Sequence, residues 1–136
     1  MRYGGEIIAI VLRYRYRNKD ITFFTPDEFS QQLAYMSRPK GYRIAPHVHR
    51  TVLRKVTRTQ EILWVKKGAV QVDLYRPDRR HLRSLVLYGG DTILLASGGH
   101  GFQMLEDTEM VEVKQGPYAG DRDKERFTPE TYDTCQ

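Results

Sequence analysis

The chain contains a single cysteine and only four histidines among its 136 residues. One cysteine cannot form an internal disulfide, which excludes a disulfide-stabilised scaffold and favours a reducing compartment. Since this thiol is Cys135, close to the carboxyl end, we do not expect it to be catalytic.

Long apolar runs are also absent. The run IIAIVL near the start is short and is followed by RYRYR, so it indicates neither a signal peptide nor a membrane span. We therefore expect a cytoplasmic protein.

The composition is typical of one globular domain. Hydrophobic residues make up 40% and charged residues 29%, values that exclude extensive disorder. The net charge of +5 and the basic, aromatic stretch RYRYR raise the question of nucleic-acid binding. No recognisable nucleic-acid motif accompanies them, and the same alternation describes a solvated edge strand. We expect neither nucleic acid nor a membrane as a partner.

Short β-type segments separated by turn signals predict an all-β fold. They are GEIIAIVLRYRYR, ITFF, QLAYMS, YRIAPHVH, EILWVKKG, AVQVDLY, LRSLVLY, DTILLA, GFQML and EMVEVKQ. In TPDEFSQQ, Thr25 as N-cap, Pro26 and Glu28 predict one short N-terminal helical turn. Many short strands with tight turns favour a closed barrel or jelly roll over a layered α/β fold.

His47 and His49 stand one residue apart just before an apolar segment. Alternate residues of a strand face the same side, so both imidazoles would project together into a barrel. Glu61, at the start of the next strand, and His100, in SGGHGF, would complete a four-ligand pocket for a divalent metal. The alternative for an isolated HxH spacing is a pair of exposed strand histidines.

This spacing resembles the two motifs of the cupins. The first, G(x)5HxH(x)3,4E(x)6G, is matched by Gly41, His47, His49, Glu61 and Gly68, and the second, G(x)5PxG(x)2H(x)3N, is matched in part by Gly90, Gly98 and His100. The resemblance spans about residues 36–113 and implies a cupin jelly-roll barrel, that is, a double-stranded β-helix. It implies one cupin domain over residues 1–118, followed by an extended tail over residues 119–136 that is a lid or a dimer strap.

Three features depart from the cupin pattern. Eleven residues, RTVLRKVTRTQ, separate His49 from Glu61, so the hairpin between them must be enlarged. Ala96 replaces the proline of the second motif, and His100 comes one residue early. Met104 stands where the motif ends in asparagine. The phase of EILWVKKG still favours Glu61 as a ligand, since it would share a face with the apolar residues two and four positions on.

The insertion predicts a basic lip beside the ligands. Its cations are Arg50, Arg54, Lys55 and Arg58, with no acidic residue among them. Such a group would attract and bind an anionic substrate. The alternative is a solvated hairpin whose apolar residues pack on the barrel or on a neighbouring subunit. Further catalytic candidates are Tyr75, Glu112 and Lys114, although a surface ion pair is the alternative for the last two.

More narrowly, the stretch from GGDTILLASGGHGF onward is similar to small, uncharacterised bacterial cupins found with surface-polysaccharide and nucleotide-sugar genes. The resemblance implies a homodimer, because cupins commonly pair, and it names no reaction. We expect an isomerase or epimerase of a sugar, sugar phosphate or nucleotide sugar, the chemistry that suits a Lewis-acid metal. One divalent transition metal (Fe, Mn, Ni, Zn or Co) would act as a Lewis acid. The alternatives are a non-catalytic sugar-binding, metal-binding or regulatory module, an Fe(II)-dependent dioxygenase, and a metal-free isomerase in which a histidine is the base.

Overall fold

The computed structural model describes residues 1–129, and the regular secondary structure of this part of the chain is almost entirely β-strand. The strands are β1 (Arg2–Tyr3), β2 (Glu6–Ile7), β3 (Ala9–Leu12), β4 (Asp20–Phe23), β5 (Ala34–Ser37), β6 (Glu61–Lys67), β7 (Ala69–Tyr75), β8 (His81–Tyr88), β9 (Thr92–Leu95), β10 (Gly99–Met104) and β11 (Glu109–Lys114). A 3₁₀-helix covers Gly120–Arg122. Within residues 1–129, no helix has both the length and the apolar composition needed to cross a membrane.

Two larger antiparallel sheets face each other across the core. One has the strand order β11-β6-β9-β3 and the other the order β10-β7-β8, while β1-β2 and β4-β5 form separate hairpins. A single buried cluster combines apolar residues of both larger sheets: Leu63, Val65, Val70, Val72, Leu74, Leu87, Ile93 and Leu95. The side chains of this cluster alternate with outward-facing ones along β6 and β7, because successive residues of a strand point to opposite faces. The predicted all-β class is therefore confirmed.

The sheets are not closed into a barrel, which corrects the predicted closed architecture. The segment YRIAPHVH was expected to supply a strand, yet residues 41–59 contain none and are all exposed. Pro46 has no N–H to give to a ladder, which confines the segment to the edge of a sheet, and the cations that follow favour contact with water. Without a strand from this segment, β11 lies at the outer edge of its sheet.

The predicted N-terminal helical turn is also wrong. The Phe29 N–H donates to the Pro26 carbonyl at 3.1 Å, which closes one tight turn and nothing longer. The hydroxyl of Thr25 does not cap a helix. It donates to the Gln32 side chain at 2.7 Å and accepts from the Leu33 N–H at 3.2 Å, so it closes a loop instead. Side-chain hydrogen bonds of this kind compete with helix formation.

Asp91 fastens the segment after β3 to the turn between β8 and β9. Its buried carboxylate accepts hydrogen bonds from the backbone N–H groups of Tyr14 (2.8 Å) and Tyr88 (3.0 Å) and from the Arg13 guanidinium (2.7 Å). Burial alone would raise the pKa of Asp91, but the three donors outweigh it, so the pKa lies below its ordinary value. The carboxylate therefore stays ionised and holds two distant parts of the chain together.

Gly68 is the corner at which the chain passes from one larger sheet to the other. Its φ is +95°, and an added Cβ would lie 2.5 Å from the Asp107 carbonyl oxygen. We expect Gly68→Ala to lower the free energy of unfolding by about 3 kcal/mol, because backbone strain and overlap add. The matched control is Gly5→Ala, with φ +81° and open space around it, which should cost only about 1 kcal/mol. Chemical denaturation measures both, and equal losses would contradict the role of the overlap.

Candidate functional site

A cavity of about 870 Å³ opens at one end of the core, between the two larger sheets. Its size is within the range of pockets that hold small organic ligands. We call it the end cavity. Charged, polar and aromatic side chains line it, among them Thr59, Glu61, Tyr75, Arg76, Arg79, His100, Phe102, Glu112, Lys114, Asp123, Lys124, Glu125, Arg126 and Phe127.

Glu61 and His100, which both line the end cavity, are in contact with each other. His100 Nε2 lies 3.2 Å from Glu61 Oε2, although β6 and β10 belong to different sheets. The side chain of Glu61 is 15% exposed and that of His100 is 31% exposed. The hydrogen bond from His100 lowers the pKa of Glu61, burial opposes this, and the charges of His100 and Lys114 lower the pKa further. Glu61 is therefore an ionised acceptor beside one imidazole nitrogen of His100.

Alternation along the strands explains how both residues reach the cavity. Glu61 lies two and four residues before buried Leu63 and Val65, so it shares their core-facing side, as the sequence predicted. His100 is paired with Leu74, and Phe102 with Val72, in the β10–β7 ladder. Because Leu74 and Val72 belong to the core, His100 also faces inward. Its early position in the motif has not turned it to the outside.

Glu112 and Lys114 are on the same inner wall. In the β11–β6 ladder, Glu112 is paired with Leu63 and Lys114 with Glu61. Lys114 Nζ lies 3.5 Å from Glu112 Oε1 and 3.9 Å from Glu61 Oε1. The sequence left open whether these two residues reach the cavity or form a surface ion pair. The structure places both in the cavity lining, next to the Glu61–His100 pair.

The described part of the tail lies over the end cavity. The Phe127 ring meets the ring of Tyr75 edge to face, with centroids 5.2 Å apart. Arg79 forms an ion pair with Glu125 at 2.9 Å. The Thr59 hydroxyl donates to the Asp123 carboxylate. Burial raises the pKa of Tyr75, and the Asp73 charge raises it further, so its phenol remains protonated. The tail therefore lines the end cavity as far as Pro129, and Cys135 lies outside the described residues.

The cations of the end cavity differ from those that the sequence indicated. Arg76, Arg79, Lys124 and Arg126 line it together with Lys114. The Arg76 guanidinium stacks on the Tyr3 ring at 4.1 Å and pairs with Asp78 at 2.6 Å. Sequence reasoning missed Arg76 and Arg79. The basic turn RPDRRH was their only signal, and it is indistinguishable from an ordinary solvated turn.

The remaining predicted site residues lie elsewhere. His47 and His49 are exposed, with ring centroids 5.3 Å apart, and neither lines the end cavity. Within residues 1–129, no three His, Cys, Asp or Glu side chains are grouped to hold a metal ion. As placed, the residues therefore do not fit a four-ligand centre. The predicted basic lip is on the same exposed segment: Arg50, Arg54 and Lys55 face solvent, and Arg58 pairs with Glu6.

Two other polar features are better explained as structural. A cleft of about 500 Å³ is lined by Arg13, Tyr14, Tyr88 and Asp91, whose charges already satisfy each other. On the opposite face of β7 and β8, the Ser84 hydroxyl donates to Asp73 and contacts His81 Nε2 at 2.8 Å. A nucleophilic relay needs the carboxylate on the histidine rather than on the serine. In this network the Asp73 carboxylate bonds to Ser84 and not to His81, so the three residues do not form a catalytic triad.

No family model, curated protein or solved structure matches the chain. The resemblance to cupins thus rests on the motifs alone and stays a prediction.

Proposed function

We propose that the protein is a sugar or nucleotide-sugar isomerase or epimerase that transfers a proton through the Glu61–His100 pair. The observation that carries this proposal is the 3.2 Å contact between the two side chains inside a ligand-sized cavity. A histidine held by an ionised carboxylate has a fixed orientation and tautomer, and it is the most common group for general acid and base catalysis.

The proposed reaction needs a carbon-bound hydrogen next to a carbonyl group. His100 removes that proton, and the electron pair of the broken C–H bond moves to the carbonyl oxygen and forms an enolate. The ionised Glu61 stabilises the resulting imidazolium. Lys114, 3.9 Å from Glu61, donates to the enolate oxygen and offsets its charge. Transfer of this proton to the former carbonyl carbon gives an isomer, while Lys114 relays the proton of the neighbouring hydroxyl group to the enolate oxygen. Protonation of the original carbon by water from the opposite face gives an epimer, and His100 then passes its proton to the resulting hydroxide.

Anion binding by the cationic rim sets the substrate class. Arg76 and Arg79 come from the turn after β7, while Lys124 and Arg126 come from the tail, so they approach the opening from two sides. Arginine suits phosphate because its planar fork donates two parallel hydrogen bonds. A sugar phosphate or nucleotide sugar therefore fits the rim, with the sugar directed to His100.

The affinity for phosphate tests this arrangement. We expect a sugar nucleoside diphosphate to raise the melting temperature more than the neutral sugar does. We expect Arg79→Ala to weaken the binding of this ligand about tenfold, since one charge-assisted hydrogen bond is worth about 1.5 kcal/mol. Isothermal titration calorimetry measures the loss. The control is Arg83→Ala, an exposed arginine on β8 outside the cavity lining, which should bind normally. Equal protection by neutral sugar would contradict the anionic substrate.

The metal cofactor remains a separate proposal. It requires His47 and His49 to come within coordination distance of Glu61 and His100, which one chain alone does not achieve as placed. Elemental analysis of the purified protein and of a His47→Ala/His49→Ala variant tests it. About one transition metal per chain, lost in the variant, supports the cofactor, and equal metal content in the two proteins overturns it.

A further inference from the structure

Residues 41–59, which we call the arm, are exposed along their whole length in the described part of the chain. Every residue of the arm is exposed, and within residues 1–129 no backbone group from 43 to 59 takes part in a backbone–backbone hydrogen bond. Ile44, Val48, Val52 and Leu53 are 57%, 88%, 55% and 99% exposed. Apolar side chains and unpaired backbone concentrated in one segment mark a surface that pairs with another chain.

The two ends of the arm are tied to the body, whereas its middle is exposed. At one end, Arg38 pairs with Asp20 at 2.7 Å and stacks on the Tyr42 ring at 4.6 Å. At the other end, the Gln115 N–H donates to the Gln60 carbonyl at 3.0 Å. These anchors fix where the arm leaves and re-enters the body, so the exposed middle is presented outward to a second molecule.

The outer edge and face of β11 form a matching unpaired surface. Among the described strands, β11 pairs only with β6, so one side of its backbone is free. Trp64, Val111 and Val113 lie on the outer face of these two strands and are 43%, 48% and 54% exposed. The neighbouring part of that face is covered by residues 24–33, which pack through Leu33 on Leu94 and Ala96. The face is thus half covered and half open.

The arm complements this surface when it is extended. Even-numbered Ile44, Val48 and Val52 would then share one face, and odd-numbered His47 and His49 the other. If the arm adds to the β11 edge with its apolar side outward, it extends the open apolar face. Its two imidazoles then point inward, on the side where β11 presents Glu112 and Lys114 to the end cavity.

The charges agree with this pairing. The stretch from Arg38 to Gln60 has several cations and no acidic residue. The acceptor strand and the turn before it carry four carboxylates: Glu106, Asp107, Glu109 and Glu112. Opposite charges on the two partners favour association and fix its orientation.

We infer that the arm of one copy adds to the β11 edge of a second copy, so that His47 and His49 of each chain complete the end cavity of the other. The inference rests on the proposed function only in placing the functional site in that cavity. A two-fold axis makes the exchange reciprocal, which is the usual symmetry of homodimers. The exchange also resolves the disagreement between the HxH spacing and the chain as it stands, because His47 and His49 would join Glu61 and His100 from outside.

Sedimentation and cross-linking test the exchange without any activity measurement. The wild type should sediment as a dimer, and Val48→Asp/Val52→Asp as a monomer. The control is Ile21→Asp, on the exposed side of the β4–β5 hairpin, which should stay dimeric. In a Cys135→Ser background, the Val48→Cys/Val111→Cys variant should be joined between chains by a short bismaleimide, a reagent that tolerates a small error in register. A monomeric wild type, or a link formed only within one chain, overturns the exchange.

A mixing experiment tests the completion of the site. A His47→Ala/His49→Ala chain and a Glu61→Ala chain should each lose bound metal, whereas their unfolded and refolded mixture should regain about a quarter of the wild-type content. The mixed dimer has one intact site only if the histidines act across the dimer. No recovery, from a wild type that binds metal, overturns completion in trans. A cross-linked dimer whose wild type lacks metal would retain the exchange and reject the cofactor.

Discussion

Replacement of His100 by Asn is expected to slow proton exchange between a bound nucleotide-linked ketosugar and solvent by about 10²–10⁴-fold, the usual contribution of a positioned general base. His100 reaches the substrate side of the cavity from β10, and Glu61 orients it from the opposing sheet at 3.2 Å. Asparagine keeps a similar polar shape but cannot exchange protons near neutral pH. Binding of the sugar nucleotide should therefore persist while exchange is lost.

Deuterium incorporation from D₂O into the carbon-bound position next to the carbonyl, followed by NMR, measures this exchange directly. The matched control is His81→Asn, an exposed histidine outside the end cavity, which should leave the rate unchanged. Glu61→Gln should also slow exchange, because the neutral amide no longer stabilises an imidazolium. If the wild type binds the sugar nucleotide and incorporates no deuterium, the protein is a binding module and the isomerase proposal fails.

Replacement of Asp91 by Ala is expected to cost about 3 kcal/mol of unfolding free energy. The substitution leaves two backbone N–H groups and the Arg13 guanidinium without their shared acceptor, and breaking a buried charged network is among the most costly single changes. For a chain of this length, the loss corresponds to a fall in melting temperature of roughly 10 °C. The exposed acidic residue Asp27 provides the control, since Asp27→Ala should leave stability nearly unchanged. Similar losses of unfolding free energy in both variants would contradict a stabilising role of the Asp91 hydrogen bonds.

The same residue predicts how stability depends on pH. The pKa of Asp91 is lower in the folded chain than in the unfolded chain, where an aspartate has a pKa of about 3.9. Its contribution is therefore present above about pH 4 and is lost as the pH falls through the folded-state pKa. The Asp91→Asn variant has no ionised carboxylate to protonate. The difference in unfolding free energy between wild type and this variant should therefore decrease on acidification. Denaturant midpoints between pH 3 and pH 7 measure this difference, and a difference that stays constant would contradict an ionised anchor.

The sequence by itself determined the local features of the protein. Period-two alternation and turn glycines placed most strands, and the phase of EILWVKKG correctly put Glu61 on the core side with Leu63 and Val65. The low cysteine content already excluded an internal disulfide. These features depend on neighbouring residues, and neighbouring residues are what a single sequence displays. The same kind of reasoning failed at Thr25, whose hydroxyl bonds to residues seven and eight positions on rather than to a helix end.

Only the tertiary structure decided which faces meet and which segments find a partner. Alternation shows that Glu112 and Lys114 share a face, but only pairing with Leu63 and Glu61 in β6 shows that this face is the inner one. The hydrogen bonds of Asp91 and the approach of Arg79 to the tail join residues far apart in the sequence. Residues 41–59 have a strand-like pattern and form no strand, because an extended segment becomes a strand only where it pairs with a sheet edge, and in this structure the segment does not pair with the free edge of β11.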